Sequence, residues 1–268
     1  MPASDKTACP VCGEGETRVL LKEANVSCGD YFEGARLYKE DIGQTPLVKC
    51  TGCGFARFCD MHAWQAGTFR GRIYNDDYGR CDPPFEEERP ARLAGWLAPL
   101  CAGKRLIDYG GGRGRTAQLL RDHDIDAVSY DPFYADALLP DWRADIVTAF
   151  EVVEHVPGQH ALFEALLDLL APGGVVLFST LLQPDSLVPD WWYASPRNGH
   201  VSFHTSNSLA KTLRDVGADL ISLSDEIHLA ARDASALEPW YRVDPIAVNG
   251  SPSHAFTRRW DELAQARD

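Results

Sequence analysis

From about residue 100 the chain alternates short apolar runs with amphipathic stretches, and that alternation limits the folds open to it. Lys104–Asp108, Ala127–Asp131, Asp145–Phe150 and Val175–Thr180 read as strands buried on both faces. Between them, Arg113–His123 and Gln159–Leu170 carry apolar residues at helical spacing. Strands joined through helices need right-handed crossovers, so the pattern predicts a doubly wound α/β fold with a parallel sheet. A further helix is expected over Thr205–Val216, closed by Gly217, and another over Pro84–Leu100 leading into the first strand. Residues 239–254, with three prolines, read as irregular, and Ala255–Ala266 as a terminal helix.

The first 60 residues are of another kind. They hold six of the eight cysteines and no long helical pattern. Cys9-Pro-Val-Cys12-Gly13 and Cys50-Thr-Gly-Cys53-Gly54 are two C-x-x-C-G knuckles. Each aims two thiolates at one point, and the glycine allows the left-handed turn that exposes backbone N–H groups to sulfur. Four thiolates form the closed tetrahedral shell of a structural Zn²⁺, with no open position for chemistry. Cys28, Cys59, Cys81 and Cys101 lack such partners and read as buried or free thiols. The expected organisation is a zinc ribbon over residues 1–60, a linker and entry helix over 61–102, and the α/β domain over 103–268.

The balance of 26 basic against 39 acidic residues gives a formal net charge of -13. Such a chain repels phosphate backbones, which argues against a nucleic-acid partner. No apolar run is long enough to span a bilayer, and the first ten residues lack the apolar core of a signal peptide. The expectation is a cytoplasmic protein with no membrane partner. Oligomeric state is left open.

The first predicted strand runs into Asp108-Tyr-Gly110-Gly-Gly112-Arg-Gly114, just before a helix. Glycines at alternate positions let the backbone pass tightly under a ligand and leave the helix N-terminus open. The spacing is G-x-G-x-G, not the G-x-G-x-x-G of dinucleotide folds, and the acid suits an ammonium better than a pyrophosphate. The next strand ends in Asp131, where a carboxylate can accept from both hydroxyls of a ribose or can cap the turn before Pro132.

With these residues the chain resembles class I S-adenosylmethionine-dependent methyltransferases. The resemblance covers residues 103–224 and rests on IDYGGGRG, SYDPF, DIVTAFEVVEHV and LLAPGGVVLFST. It implies a Rossmann-like methyltransferase sheet that binds S-adenosylmethionine. Asp108, Gly110 and Gly112 would line the methionine end, Asp131 the ribose, and Phe150 and Glu151 the adenine–sulfonium side. Asp136 or Asp141 would stand in for the acidic contact to the adenine amino group. Tyr78, in the segment ahead of the entry helix, would close over the methionine end, or would pack on the domain boundary.

Glu151, Glu154 and His155 follow the predicted strand at i, i+3 and i+4, which share one face if the chain turns helical there. His200 and His204 come later, on a loop with Trp191, Trp192, Tyr193 and Phe203. E-x-x-E-H with a distant histidine resembles ubiquinone-pathway catechol O-methyltransferases and small-RNA terminal 2′-O-methyltransferases. That resemblance implies a divalent ion, Mg²⁺, Mn²⁺ or Fe²⁺, held by Glu151, Glu154, His155 and His200. The other reading is metal-free: His155 or His200, with Glu154 beside it, takes the acceptor proton. The expected function is methyl transfer to a hydroxyl of a small-molecule acceptor in a biosynthetic pathway. C-methylation of a sugar or natural product, RNA methylation, and a non-catalytic scaffold stand as alternatives. Arg197 could pair with an acidic group on the acceptor.

Overall fold

The computed structural model describes residues 8–33, 36–39, 41–82, 87–133, 138–184, 186–188, 190–248 and 255–259. In chain order the elements are β1 (Glu16–Glu23), α1 (Cys28–Glu33), β2 (Gln44–Cys50), β3 (Ala56–Phe58), α2 (Cys59–His62), α3 (Ala66–Arg72) and α4 (Tyr78–Cys81). There follow α5 (Glu88–Leu97), β4 (Arg105–Tyr109), α6 (Arg115–Arg121), β5 (Asp126–Tyr130), β6 (Ala144–Ala149), α7 (Gln159–Asp168) and β7 (Leu170–Ser179). The last are β8 (Ser202–Phe203), α8 (Ser206–Asp215), β9 (Asp219–Ser224), β10 (Ile227–Ala231) and β11 (Ala255–Arg259). Single 3-10 turns occur at Val153–His155 and Pro196–Asn198.

The chain divides into two compact units. One comprises Pro84–Val153, His160–Leu181 and Leu213–Asp268. Its seven-stranded sheet has the order β11-β9-β10-β7-β6-β4-β5. β7, β6, β4 and β5 are parallel, and β10, β9 and β11 are antiparallel. The four parallel strands are those expected, shifted by one or two residues, except that β7 begins as early as Leu170. After β5 the chain returns to the other side of β4 to form β6, so a topological switch point lies between β4 and β6, where ligands bind in open α/β sheets. Leu106, Ile146, Val175 and Leu177 from these strands pack in one core with Leu93, Leu97, Ala117 and Leu120 from α5 and α6. Each of the Leu, Ile and Val side chains among them contributes about 1.5–3 kcal/mol of burial.

The sheet is mixed, not wholly parallel, because the segment after α8 returns as the β9–β10 hairpin. Ala255–Arg259, expected as the start of a helix, is strand β11 instead. A free edge of β9 offers it backbone partners, and pairing along a sheet edge overrides a short stretch's helix preference. The rest of that expected helix, residues 260–266, lies outside the described residues.

The other unit comprises Met1–Pro83, Glu154–Gln159 and Leu182–Thr212. It therefore extends past the expected boundary at residue 60 and takes in two later segments. The reason is strand pairing: the four-stranded sheet runs β1-β2-β3-β8, and β8 pairs antiparallel with β3 through Ala56–Phe203 and Arg57–Ser202. Arg57 also donates to both carboxylate oxygens of Glu16 at 2.8 and 2.9 Å, clamping β3 to β1 across the sheet. Among the described residues no helix is long and apolar enough to cross a membrane.

Candidate functional site

In the seven-stranded unit the switch point is built from three strand ends. Asp108, near the end of β4, is 4% exposed. It pairs in register with Thr148 of β6, whose Oγ1 donates to Asp108 Oδ1 at 2.9 Å. Oδ2 of Asp108 and Oγ of Ser129, on the neighbouring β5, are buried and have no hydrogen-bond partner among the described residues. Both flank Gly111, where a Cβ would collide with them. Two orphaned polar atoms under a glycine loop mark a place built to receive a polar ligand. Burial holds the Asp108 carboxyl up at about 6, against the Thr148 bond that lowers it, with the charge of Asp131 adding to the rise.

Asp131, just past β5, accepts from the Gly112 N–H at 3.0 Å through Oδ2 and from the Phe133 N–H at 2.8 Å through Oδ1. Its carboxylate thus caps the turn before Pro132 and also ties the glycine loop to β5. Burial raises its pKa, and the two backbone bonds oppose that rise. Each carboxylate oxygen keeps further lone-pair capacity for a hydroxyl. Gly110 and Gly112 have φ of 74° and 57°, so the loop is left-handed where the spacing placed it. Phe150 is buried in the core, its ring 6.3 Å from that of Trp96. Asp136 lies outside the described residues, and Asp141 is exposed.

Glu151 departs from expectation. It does not continue into a helix with Glu154 and His155, because its φ is 55°, left-handed for a residue with a Cβ. Ser179 at the end of β7 fixes it there: the Glu151 N–H donates to Ser179 Oγ at 2.8 Å, and that hydroxyl donates to Glu151 Oε1 at 2.9 Å. The helical turn that does form there, Val153–His155, is 3-10. The single helical face carrying all three residues does not exist.

In the cysteine-bearing unit, Glu154, His155 and His200 bring one donor atom each within 4.8 Å of one another, and Glu151 is not of this group. Glu154 and His200 are buried, at 0% and 4% exposure. The backbone registers the two segments, with the Val201 N–H donating to the Glu154 carbonyl at 2.7 Å. His200 Nδ1 stands 2.7 Å from the Tyr193 carbonyl. A carbonyl only accepts, so Nδ1 carries a proton, which in the neutral form of the ring leaves Nε2 as the basic nitrogen. His155 packs edge-on to His200, ring centroids 4.7 Å apart, and its Nε2 is 3.5 Å from Glu154 Oε1.

Tyr193 is fully buried against His200, with ring centroids 4.5 Å apart. Tyr78 meets Tyr74 edge-on with ring centroids 5.2 Å apart, and the Tyr74 ring in turn lies 6.1 Å from that of His155. Gly199, at φ 86°, lets these groups meet: a Cβ there would lie 2.9 Å from Ile73 Cγ2, 3.2 Å from the Tyr74 hydroxyl and 3.3 Å from His155 Nδ1. His204 is also buried, but it bonds Gln159 and Ser208 and belongs to the packing.

In the same unit the four cysteines of the knuckles place all their sulfurs within 4.8 Å of one another. Cys9 and Cys53 are 3.7 Å apart, and Cys12 and Cys50 are 3.3 Å apart. Sulfurs at the corners of a zinc tetrahedron stand about 3.8 Å apart, from Zn–S bonds of about 2.3 Å. Backbone N–H groups of Val11, Gly52 and Cys53 point at the Cys9 and Cys50 sulfurs, as thiolate charge requires. The cluster fits the ion.

Sequence reasoning did not find Thr148, Ser129, Ser179, Tyr74 or Gly199. Thr148 left a signal, a hydroxyl in the middle of a strand buried on both faces. The others are set by tertiary neighbours.

Residues 85–223, just over half of the chain, match a family model described as "Methyltransferase domain". A protein of Cupriavidus pinatubonensis named "Ubiquinone biosynthesis O-methyltransferase" is 28% identical over 52% of this chain and 70% of its own length. One of the same name from Ralstonia nicotianae is 35% identical over 37% of this chain and 52% of its own. The solved 1,6-didemethyltoxoflavin-N1-methyltransferase of Burkholderia thailandensis is 16% identical, covering 72% of this chain and 95% of that one with a TM-score of 0.47.

Proposed function

Because the chain belongs to the methyltransferase-domain family, we propose that this S-adenosylmethionine-dependent methyltransferase methylates a hydroxyl of a small-molecule acceptor. The single observation that carries the acid–base half of this reading is the fixed tautomer of His200. When bound, S-adenosylmethionine supplies an already activated methyl group, so the chain's own work is positioning and proton removal. Asp108 Oδ2 and Ser129 Oγ, the orphaned polar atoms of the loop, receive the ammonium end of the cofactor. Asp131 receives the ribose hydroxyls while its backbone bonds hold the loop. Gly110 and Gly112 keep the loop low. Phe150 and Glu151 bound the adenine–sulfonium side, Phe150 by packing and Glu151 through the left-handed turn that Ser179 holds.

Nε2 of His200 takes the acceptor proton. His155, packed against it, and Glu154, buried beside His155, stabilise the imidazolium that results. A second reading is favoured by the convergence of Glu154, His155 and His200, whose donor atoms would hold a divalent ion such as Mg²⁺, Mn²⁺ or Fe²⁺. That ion would lower the pKa of the acceptor hydroxyl. Cys9, Cys12, Cys50 and Cys53 bind a structural Zn²⁺ that holds the same unit together. Support for O-methylation comes from the names of the relatives and from a base suited to a hydroxyl. The acidic net charge supports a small molecule over nucleic acid, and a cytoplasmic location goes with this reading.

The experiment is a methylation assay with labelled S-adenosylmethionine and a panel of catechols, phenols, hydroxybenzoates, amines and sugars, on wild type and His200→Ala. Label on a hydroxyl that His200→Ala abolishes is the expected result. Transfer to carbon or nitrogen alone would overturn the oxygen assignment.

A further inference from the structure

Arg197 sits in the 3-10 turn Pro196–Asn198 and is only 7% exposed. Its Nη1 donates to the Ile73 carbonyl and its Nη2 to Asn75 Oδ1, both at 3.1 Å. Its Cζ lies 4.7 Å from the centre of the Tyr38 ring. All three partners are neutral. Among the described residues no carboxylate lies within ion-pair distance of Arg197, and its Nε has no hydrogen-bond partner. Arg80 also faces Tyr38, at 5.7 Å, but it is exposed and lies 3.6 Å from the Asp77 carboxylate. A guanidinium withdrawn from water without a countercharge carries a desolvation penalty that neutral partners offset only in part. The two residues that hold it, Ile73 and Asn75, flank Tyr74, whose ring stands beside His155.

We infer that Arg197 binds a carboxylate of the acceptor, so that the substrates are small hydroxy acids and not neutral alcohols or phenols. The inference rests on the reading of His155 and His200 as the acceptor side. Tyr38 covers one face of the guanidinium, and Ile73 and Asn75 take one N–H from each terminal nitrogen. The edge that includes Nε is left for a planar, bidentate partner, which is the geometry of a carboxylate. One buried positive charge is balanced by one negative charge, so a monoanion suits the site better than a phosphate dianion. In a chain of net charge -13 an anionic ligand needs a local cation to be held at all.

The test is calorimetric titration of the full-length protein, saturated with S-adenosylhomocysteine, with benzoate, benzamide and phenyl phosphate. Wild type should bind benzoate at least about ten-fold more tightly than benzamide, the lower end for a hydrogen-bonded charge. Arg197→Met should erase that preference, and Arg197→Lys should restore part of it. S-adenosylhomocysteine affinity, unchanged in both variants, reports that they fold. Equal binding of benzoate and benzamide by wild type overturns the inference whether or not the variants fold, as does a preference that survives in Arg197→Met. Tighter binding of phenyl phosphate than of benzoate overturns the carboxylate assignment. Binding of benzoate through Arg197 with no methylation of any hydroxybenzoate keeps the anion site and sinks the oxygen-acceptor reading instead.

Discussion

Thr148 Oγ1 donates to Asp108 Oδ1 at 2.9 Å across the β4–β6 switch point, which leaves Oδ2 of the same buried carboxyl as the atom a ligand must satisfy. The carboxyl titrates at about 6, raised chiefly by burial. Below that pH it is neutral and attracts an ammonium weakly; above it the charge is present. If the ionised form alone binds, affinity for S-adenosylhomocysteine rises about ten-fold from pH 5 to pH 7, and binding releases a proton in the lower part of that range. Calorimetry in buffers of different ionisation enthalpy measures both. Asp108→Asn should bind weakly and with no such pH dependence. A wild-type affinity flat over this range would place the ammonium elsewhere.

Gly111→Ala tests the space beneath the loop. The added methyl group meets Asp108 Oδ2 and Ser129 Oγ, so it displaces the two atoms assigned to the ligand. Cofactor affinity should fall by about 1.5–3 kcal/mol, the range for hydrogen bonds to a charged group. Titration with S-adenosylhomocysteine reads this directly, and an unchanged affinity would show that neither atom touches the cofactor.

At the histidines the informative change is Gly199→Ala. Its φ of 86° and the crowding by Ile73, Tyr74 and His155 together should cost about 1–3 kcal/mol of stability. Turnover should fall further than the melting temperature alone accounts for, since the strain falls on His155. A variant with normal kcat and a lowered Tm would make Gly199 a purely structural residue.

The two readings of the histidine cluster separate on metal removal. A chelator strong enough to strip the four cysteines stops turnover under either reading, because the cysteines and histidines share one compact unit. Mild chelation that leaves about one zinc per chain should leave a metal-free base active. Should turnover vanish under those conditions and return with Mg²⁺ or Mn²⁺, the cation reading stands. Zinc content measured alongside activity distinguishes the cases.

Cys50→Ser should lose the zinc and, with it, the order of more than the first 60 residues. Structural zinc contributes folding energy outright. Limited proteolysis should then open the chain in 182–212 as well as near the N-terminus. Protection of that later segment in the variant would show that it folds without the cysteines.

Legibility in the sequence followed the range of the forces involved. The parallel strands and the glycine loop announced themselves because a strand buried on both faces must be apolar throughout, and a tight turn under a ligand must be glycine. The knuckles were legible for the same reason, since thiolate spacing is local chemistry. Glu151 misled because i, i+3, i+4 spacing has meaning only on a helix, and the bond to Ser179 bends the chain left-handed before one can start. β8 is two residues long and has no pattern of its own; its partner β3 decides it. Tyr74 acquires its place from Gly199, far away in the chain, so no window of sequence contains both.

The pairing of β3 with β8 also bears on how the molecule comes to be made. The first three strands of the small sheet emerge early in synthesis, but the fourth arrives only after β7 has left the ribosome. Until then β3 is an unprotected edge, open to association with other chains. Closing so long a loop is also entropically slow, which places this strand among the late events of folding. A metal ion captured early by the cysteines would hold the nascent hairpin together through that interval, so such an ion's first service would be kinetic.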